Sequence, residues 1–296
     1  MQKIINWLTT LINDALWQGL LLNLLGFIGG YFISWYRRNS FHLVAILRFL
    51  KSLIIRRKYI LIWNDNHLST SEKIAKHLKK KGITERIVCL NAPYELLKFP
   101  LRPSAIKMII LIVSDVTKLA ASEQLSNQIE QKLVDYVCDG GTLFGTHDII
   151  YRRCRNLMLQ QAYSCEINNF QRFEAPIKAL RVQGALAHPL LRGLPEQITF
   201  DDGEVCWGNW GHEAKPLLVT AESVNNSGQV PLLVAKHFGH NGMLIWLNAG
   251  DKGKELCKSL TRPQSAVIQL LYNAATLQSE ILEYVFPEES DGSQAV

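Results

Sequence analysis

The chain has 296 residues, of which 48% are hydrophobic and 20% are charged. This composition excludes a disordered chain, and the length is sufficient for one large domain with its own hydrophobic core. The formal net charge of +6 favours an anionic partner such as nucleic acid or a membrane surface. The six cysteines include no C-x-x-C pair and no zinc-site spacing, so we expect reduced structural thiols, no metal and no cofactor.

The first predicted element is an uncharged run, residues 15–36. At about 1.5 Å per residue, a helix of this length would cross a hydrocarbon layer about 30 Å thick. Trp17 lies near one end and Trp35 at the other, as in the aromatic belts of membrane proteins. We therefore predict a transmembrane helix in an N-terminal segment, residues 1–38, with the lipid bilayer as a partner. A cleaved signal peptide or a soluble core helix are the alternatives.

Basic residues follow this run, whereas Asp14 precedes it. The basic residues are Arg37, Arg38, Arg48, Lys51, Arg56, Arg57 and Lys58. Because positive residues stay on the cytoplasmic side, we predict a single-pass protein of the inner (plasma) membrane, with its N-terminus outside and its C-terminal domain cytoplasmic. Residues 39–57 form a basic amphipathic linker that lies on the membrane surface or packs on the following domain. Since no aromatic–basic binding motif occurs, we expect no nucleic-acid partner.

From residue 58 onward, short apolar runs alternate with amphipathic segments. The runs predict strands at 58–65, 86–90, 106–115 and 142–146, and the segments between them predict helices at 69–82 and 122–141. This alternation predicts an α/β domain with a doubly wound, mostly parallel sheet over residues 58–286. The polar tail, residues 287–296, is predicted to be disordered.

The second half of this domain is richer in strands and turns. The strand candidates are 178–184, 197–202, 204–208, 216–221, 230–238 and 242–251. A closing helix is predicted at 262–286, because Pro263 lies near its start.

Polar residues cluster just after the predicted strand ends. In an open parallel sheet these ends meet at one edge, where ligands bind. We therefore predict a small-molecule site lined by Asn64, Asp65, His67, Ser114, Asp115, Gly141, His147, Asp148, Asp202, Glu204 and Asp251. For each residue, a turn or capping role is the alternative.

Two groups of short motifs carry a family resemblance. The first comprises Tyr136-Val137, Gly140-Gly141, Gly145 and His147, and the second comprises His188-Pro189, Gly193-Leu194, the acidic stretch 201–204 and the stretch 239–246. This pattern resembles the class I glutamine amidotransferase-like superfamily and, within it, the ThuA-like (trehalose-utilisation-like) group. The resemblance covers about residues 58 to 285 and implies an amidotransferase-like α/β fold.

The chain also departs from that pattern. A working glutamine amidotransferase needs a nucleophilic cysteine at the turn after the fourth strand. Here the turn reads "GTHDII", and Cys138 and Cys154 lie outside it. Asp251 follows "AG" where ThuA-like proteins resemble one another in a late "GH". We therefore expect that glutamine hydrolysis is absent.

Three functions remain open at this point, of which the third is a scaffold without chemistry whose anchor serves only to locate it. The first is a membrane-anchored sensor or effector, for example in bacterial antiviral defence, which binds a sugar-like or nucleotide-like small molecule and forms a homo-oligomer. The second is a membrane-tethered enzyme that acts on a sugar or polyol. In that enzyme, His147, Asp148 and Asp202 would be the acid–base residues.

Overall fold

The structure is a computed structural model that describes residues 15–55, 57–64, 68–112, 119, 122–172, 176–200, 204–224, 228–249 and 265–286. Its helices are α1 (Ala15–Ile55), α2 (Leu68–Lys80), α3 (Glu123–Cys138), α4 (Leu157–Tyr163), α5 (Ala266–Thr276) and α6 (Gln278–Glu283). Its strands are β1 (Tyr59–Asn64), β2 (Arg86–Leu90), β3 (Ile106–Ile112), β4 (Thr142–Thr146), β5 (Cys165–Arg172), β6 (Ile177–Arg181), β7 (Ile198–Phe200), β8 (Glu204–Trp210), β9 (Lys215–Thr220), β10 (Pro231–Phe238) and β11 (Gly242–Leu247).

Within the described residues, nine strands form one mixed sheet in the order β2-β1-β3-β4-β11-β10-β9-β6-β7. The strands from β2 to β11 in this order are parallel, and those from β11 to β7 are antiparallel. The central strands β1 and β4 are buried along their whole length, as parallel strands covered on both faces should be. The predicted α/β class is therefore confirmed.

Helices cover both faces of the sheet. Ile60 and Ile62 of β1 belong to a core that includes Ile74 and Leu78 of α2, whereas the intervening Leu61 faces a second core that includes α3 residues. This alternation follows from the two-residue period of a strand. Each fully buried aliphatic side chain contributes about 1.5–3 kcal/mol, so the two cores hold the sheet between its helices.

Local signals place the third helix as the sequence predicted. Ser122 is the N-cap of α3, and its hydroxyl accepts a hydrogen bond from the Leu125 N–H at 3.2 Å. Gly140 then adopts a φ of +101°, which ends the helix and leads into β4. The strand that carries His147 at its end therefore begins at a defined point.

The predicted membrane-spanning location is wrong. Residues 15–36 are helical, but they are part of the 41-residue helix α1, which continues into the basic segment. No helix in the described ranges is both long enough and apolar enough to cross a membrane. Asn23 and the glycines at 26, 29 and 30 dilute the apolar surface of the run. The single-pass placement in the inner (plasma) membrane, with the N-terminus outside, is therefore not supported.

The basic half of α1 packs on the domain, which was one of the two alternatives for residues 39–57. The rings of Phe41 and Tyr94 meet edge to face at 6.2 Å, and the Arg48 guanidinium lies 4.0 Å from the centre of the Phe99 ring. The predicted boundary at residue 38 falls inside one continuous helix. The predicted tail, residues 287–296, lies outside the described residues.

Strand β5 was not predicted from the sequence. It pairs with β8 in a two-stranded antiparallel ribbon that is separate from the main sheet. Gly208 of β8 lies so close to β5 that an added Cβ would be 2.1 Å from the Glu166 carbonyl oxygen. The ribbon therefore requires glycine at this position.

We expect Gly208→Ala to lower the free energy of unfolding by about 1–3 kcal/mol, since the methyl group would force the ribbon strands apart. Urea unfolding measures this change. Gly184→Ala is the matched control, because a Cβ there would meet no atom within 4 Å. Equal stability of the two variants would show that β5 and β8 are not paired this closely.

Candidate functional site

The candidate site lies at the carboxyl end of β4. The first residue after this strand, His147, has a strained backbone conformation. His147 has a φ of +34°, in the left-handed region that a side chain with a Cβ rarely occupies. Such strain persists only where the surrounding structure enforces it, and it is concentrated at functional sites. The position is also the edge at which open α/β sheets bind ligands. The surrounding structure therefore holds His147 in a strained backbone conformation at the carboxyl edge of the parallel strands.

His147 is one of three buried polar side chains that meet at this turn. Its Nδ1 lies 3.0 Å from Oδ1 of Asp148. The sulfur of Cys206, on β8, lies 3.6 Å from His147 Nε2, 3.8 Å from His147 Nδ1 and 3.7 Å from Asp148 Oδ1. The exposed fractions are 0% for His147, 5% for Asp148 and 1% for Cys206. We call these three residues the HDC cluster.

The backbone on both sides of the HDC cluster is fixed by side chains from the end of β11. The Asn248 side chain accepts a hydrogen bond from the Cys206 N–H at 2.9 Å and donates one to the Cys206 carbonyl at 2.7 Å. Trp246 donates its indole N–H to the His147 carbonyl at 3.0 Å. Each hydrogen bond satisfies a buried backbone group, which would otherwise cost about 1–3 kcal/mol. The three side chains are therefore held in place before any ligand arrives.

Burial and charge determine the protonation of the HDC cluster. Burial alone would lower the pKa of His147, but Cys206 and the Asp148 carboxylate outweigh it and raise that pKa well above its usual value. Burial raises the pKa of the Cys206 thiol, and the nearby His147 offsets only part of this effect. At neutral pH the raised pKa keeps the proton on the Cys206 sulfur, so the Asp148 carboxylate is the negative charge that favours a protonated His147.

The HDC cluster offers one nitrogen, one oxygen and one sulfur ligand to a metal ion. These three atoms all lie within 4.8 Å of one another. Imidazole, carboxylate and thiolate are the ligands that Zn²⁺ uses in proteins. The sequence predicted no metal here because the three ligands share no recognisable spacing along the chain.

The structure brings only some of the predicted site residues together. His147 and Asp148 are adjacent, and Glu204 lies two residues before Cys206 on β8, where its carboxylate pairs with Arg172 at 3.3 Å. Asn64 is buried at the carboxyl end of β1. Gly141 precedes β4 at the opposite end of that strand, where it packs on the Tyr136 ring. The remaining predicted residues lie outside the described ranges: Asp65, His67, Ser114, Asp115, Asp202 and Asp251.

Cys206 was missed as a site residue. The sequence interpretation treated every cysteine as a structural thiol, and the five cysteines within the described residues form no disulfide. The available signal was the position of Cys206 in the strand that follows the acidic stretch 201–204. The sequence pointed to an acidic partner for His147 in that stretch, whereas strand β8 supplies a thiol two residues after it.

Comparison with known proteins gives matches at the level of structure only. No protein-family model matches the sequence, and no curated protein matches it. A ThuA-like protein from Parabacteroides merdae is similar, with 14% identity over 78% of this chain and 93% of that chain and a TM-score of 0.52. A glutamine amidotransferase from Thermotoga maritima has 9% identity over 77% of this chain and 99% of that chain, with a TM-score of 0.50.

These similarities show the fold, since both identities are far below 25%. The fold that the motifs implied, that of ThuA-like and glutamine amidotransferase-like proteins, is thereby supported. The similarities transfer no activity, and the chemistry has to be argued from the HDC cluster itself.

One motif residue from the resemblance, His188, has a structural role. Its ring packs on Tyr284 at 4.7 Å and on Phe286 at 5.7 Å, and its Nδ1 accepts a hydrogen bond from the Leu190 N–H at 3.2 Å. Burial, together with the nearby His237, lowers the pKa of His188 to about 4. The neutral ring is therefore the form that fits the folded protein.

We expect His188 to make the free energy of unfolding fall as the pH falls from about 6.5 to about 4. In this window the unfolded chain binds a proton that the folded chain excludes, so unfolding is favoured by up to about 1.4 kcal/mol per pH unit. Urea unfolding at several pH values should give a flatter pH dependence for His188→Gln. The exposed His240→Gln is the control and should keep the wild-type slope. An unchanged slope in His188→Gln would refute the buried neutral ring.

Proposed function

We propose that this domain is a zinc-dependent hydrolase that acts on a small polar molecule at the carboxyl edge of its parallel strands. The observation that carries the proposal is the HDC cluster, three buried side chains whose nitrogen, oxygen and sulfur atoms lie within 4.8 Å of one another. Its position after β4 is the edge at which α/β sheets bind their substrates.

The separations within the HDC cluster support a tetrahedral ion. With Zn–N and Zn–O distances of about 2.0 Å and a Zn–S distance of about 2.3 Å, neighbouring ligand atoms lie about 3.3–3.5 Å apart. With Nδ1 as the ligand nitrogen, the observed separations are 3.0 Å from Nδ1 to Oδ1, 3.7 Å from Sγ to Oδ1 and 3.8 Å from Sγ to Nδ1. Shifts of a few tenths of an ångström would therefore suffice.

Charge balance also supports Zn²⁺. A buried ion is costly unless opposite charges compensate for it. With zinc bound, the Asp148 carboxylate and the Cys206 thiolate would supply two negative charges and His147 would be neutral, so the buried site would carry no net charge. The metal would displace the proton that burial otherwise keeps on the sulfur.

Three protein ligands leave the fourth position of a tetrahedral ion open, as in catalytic rather than structural zinc sites. A zinc ion in such a site supplies a bound water that ionises near neutral pH. The contribution of the chain is to hold the ligands rigidly, through Asn248 and Trp246, in a water-poor environment. This chemistry suits the hydrolysis of an amide or ester bond.

The substrate class of the enzyme alternative from the sequence, a sugar or polyol, is compatible with this site. Its hydroxyl groups would bind to the polar residues at the same edge, among which Asn64 is described and buried. The earlier acid–base scheme used His147 and Asp148 as proton carriers. Here the same two residues serve as ligands, so their protons are not required for turnover.

We expect Cys206→Ala to weaken zinc binding by more than about 100-fold, because it removes one of three ligands. The measurement is chelator-competition titration of the full chain with Zn²⁺, supported by the zinc content of the purified protein. Cys154→Ala is the matched control, since Cys154 is another buried thiol that does not belong to the HDC cluster. Equal zinc affinity in both variants would show that the HDC cluster does not bind zinc.

Turnover is tested with the zinc-loaded chain on a panel of acetylated sugars and polyols. We expect acetate release by the wild type, and a loss of at least about 100-fold in kcat/KM for His147→Ala. Zinc binding without any turnover would refute the hydrolase and leave the metal site standing.

A second candidate is a ligand-binding domain without turnover, the core of the sensor interpretation. The observation that favours it is the complete burial of His147, which gives a substrate no direct path to the reacting atoms. Native mass spectrometry of the chain exposed to a metabolite extract would then show a retained small molecule in the wild type and none in His147→Ala. Acetate release in the turnover assay would decide against this candidate.

A further inference from the structure

A cavity of about 380 Å³ lies at the opposite edge of the sheet from the HDC cluster. It is lined by the first residues of β1 and β2, Tyr59 and Arg86, which are paired in the parallel register. The carboxyl end of β1, at Asn64, points the other way, toward the edge at which His147 follows β4. The two sites are therefore separated by the length of the strands.

Four basic residues from separate elements converge on this cavity. They are Lys51 in the last turns of α1, Arg57 just after it, Lys79 at the end of α2 and Arg86 at the start of β2. Thr84 adds a hydroxyl group, and no acidic residue is among the lining residues of this cavity. A cation cluster usually belongs to a solvated face, but these four surround a concavity that only the tertiary fold assembles.

One acidic residue, a sequence neighbour of the lining residues Thr84 and Arg86, does not neutralise the cavity. Glu85 lies next to Arg86 in the chain, but its carboxylate pairs with Lys107 of β3 at 2.5 Å. Its backbone carbonyl accepts a hydrogen bond from Lys79. The arginine at position 86 is oriented in part by Tyr59, since its guanidinium lies 5.8 Å from that ring. All four cations are exposed, so solvent screens their mutual repulsion, and what favours an anion here is their convergence on one concavity with no acidic residue among its lining residues.

We propose that this cavity binds a compact oligophosphate, either free or as the phosphate chain of a nucleotide. Arginine and lysine side chains, with a hydroxyl group, are the partners that proteins use for phosphate oxygens. Four converging cations match an anion with three or more negative charges. The volume of about 380 Å³ lies in the range of small-molecule pockets and suits a compact ligand.

This site accounts for basic residues that the sequence interpretation assigned to a membrane flank. Lys51 and Arg57 belong to the group that follows the apolar run, and the fold turns both toward the same cavity as Lys79 and Arg86. The proposal does not depend on the zinc site, because the two share no residue and lie at opposite edges of the sheet.

The test is calorimetric titration of the full chain with inorganic tripolyphosphate at 150 mM salt, about the physiological level at which surface charges are screened. We expect one saturable site per chain, and Arg86→Gln should weaken binding by about tenfold or more, since it removes a charge-assisted contact. A parallel titration with ATP separates the sources: tighter binding of ATP identifies a nucleotide, and equal or weaker binding identifies the free oligophosphate.

Lys178→Gln is the matched control, because it removes the same charge from an exposed position on β6, far from β2 in the strand order. It should change the affinity by less than about twofold, as expected for a screened distant charge. If both variants weaken binding equally, or if binding does not saturate, the attraction is a general property of the basic chain and the proposal is overturned. Since Arg86 is exposed, its replacement leaves the fold intact, which thermal unfolding checks.

Discussion

The candidate site depends on the hydrogen bonds by which Asn248 holds the backbone of Cys206. Asn248 follows the last parallel strand of the sheet, whereas Cys206 belongs to the separate ribbon. Without this attachment the thiol would have no fixed relation to the turn after β4. The amide donates and accepts at once, so it satisfies two backbone groups that the ribbon cannot pair within itself. The zinc site and the binding alternative both require this junction.

Compared with the amidotransferase pattern, the thiol and the histidine have exchanged places in this chain. In a glutamine amidotransferase the thiol would stand at the strained turn after the fourth strand, with a histidine as its base. Here the strained turn carries His147, and the thiol arrives from the ribbon on the other side. A thiol whose pKa is raised by burial is a poor nucleophile but becomes a good ligand once a metal replaces its proton. The exchange therefore favours metal binding over thiol catalysis.

The sequence was sufficient to predict an element and its bounds wherever the local signals and the burial of its residues agree. Strands such as β1 and β4, with continuous apolar residues, and helix α3, with its serine cap and glycine stop, were predicted close to their observed bounds. His147 and Asp148 could be singled out because they follow β4 directly. Cys206 could not, because its role arises from a tertiary contact across 58 or 59 residues. Strand β5, with exposed polar residues such as Glu166 and Asn169, lacks the apolar alternation that identifies strands.

The parallel and antiparallel halves of the sheet differ in how their strand ends are arranged. Only the parallel half has a common carboxyl edge; His147 and Asp148 lie at that edge after β4, and β8 of the ribbon brings Cys206 to them. The antiparallel half presents alternating strand ends at each edge, and the start of β10 lies at the edge of the HDC cluster, because Leu233 pairs with Leu247, which pairs with Thr146 at the end of β4. A fluorescent label placed at the start of β10 would therefore lie beside Asn248, whose side chain donates a hydrogen bond to the Pro231 carbonyl at 3.0 Å, and it would report on the candidate site.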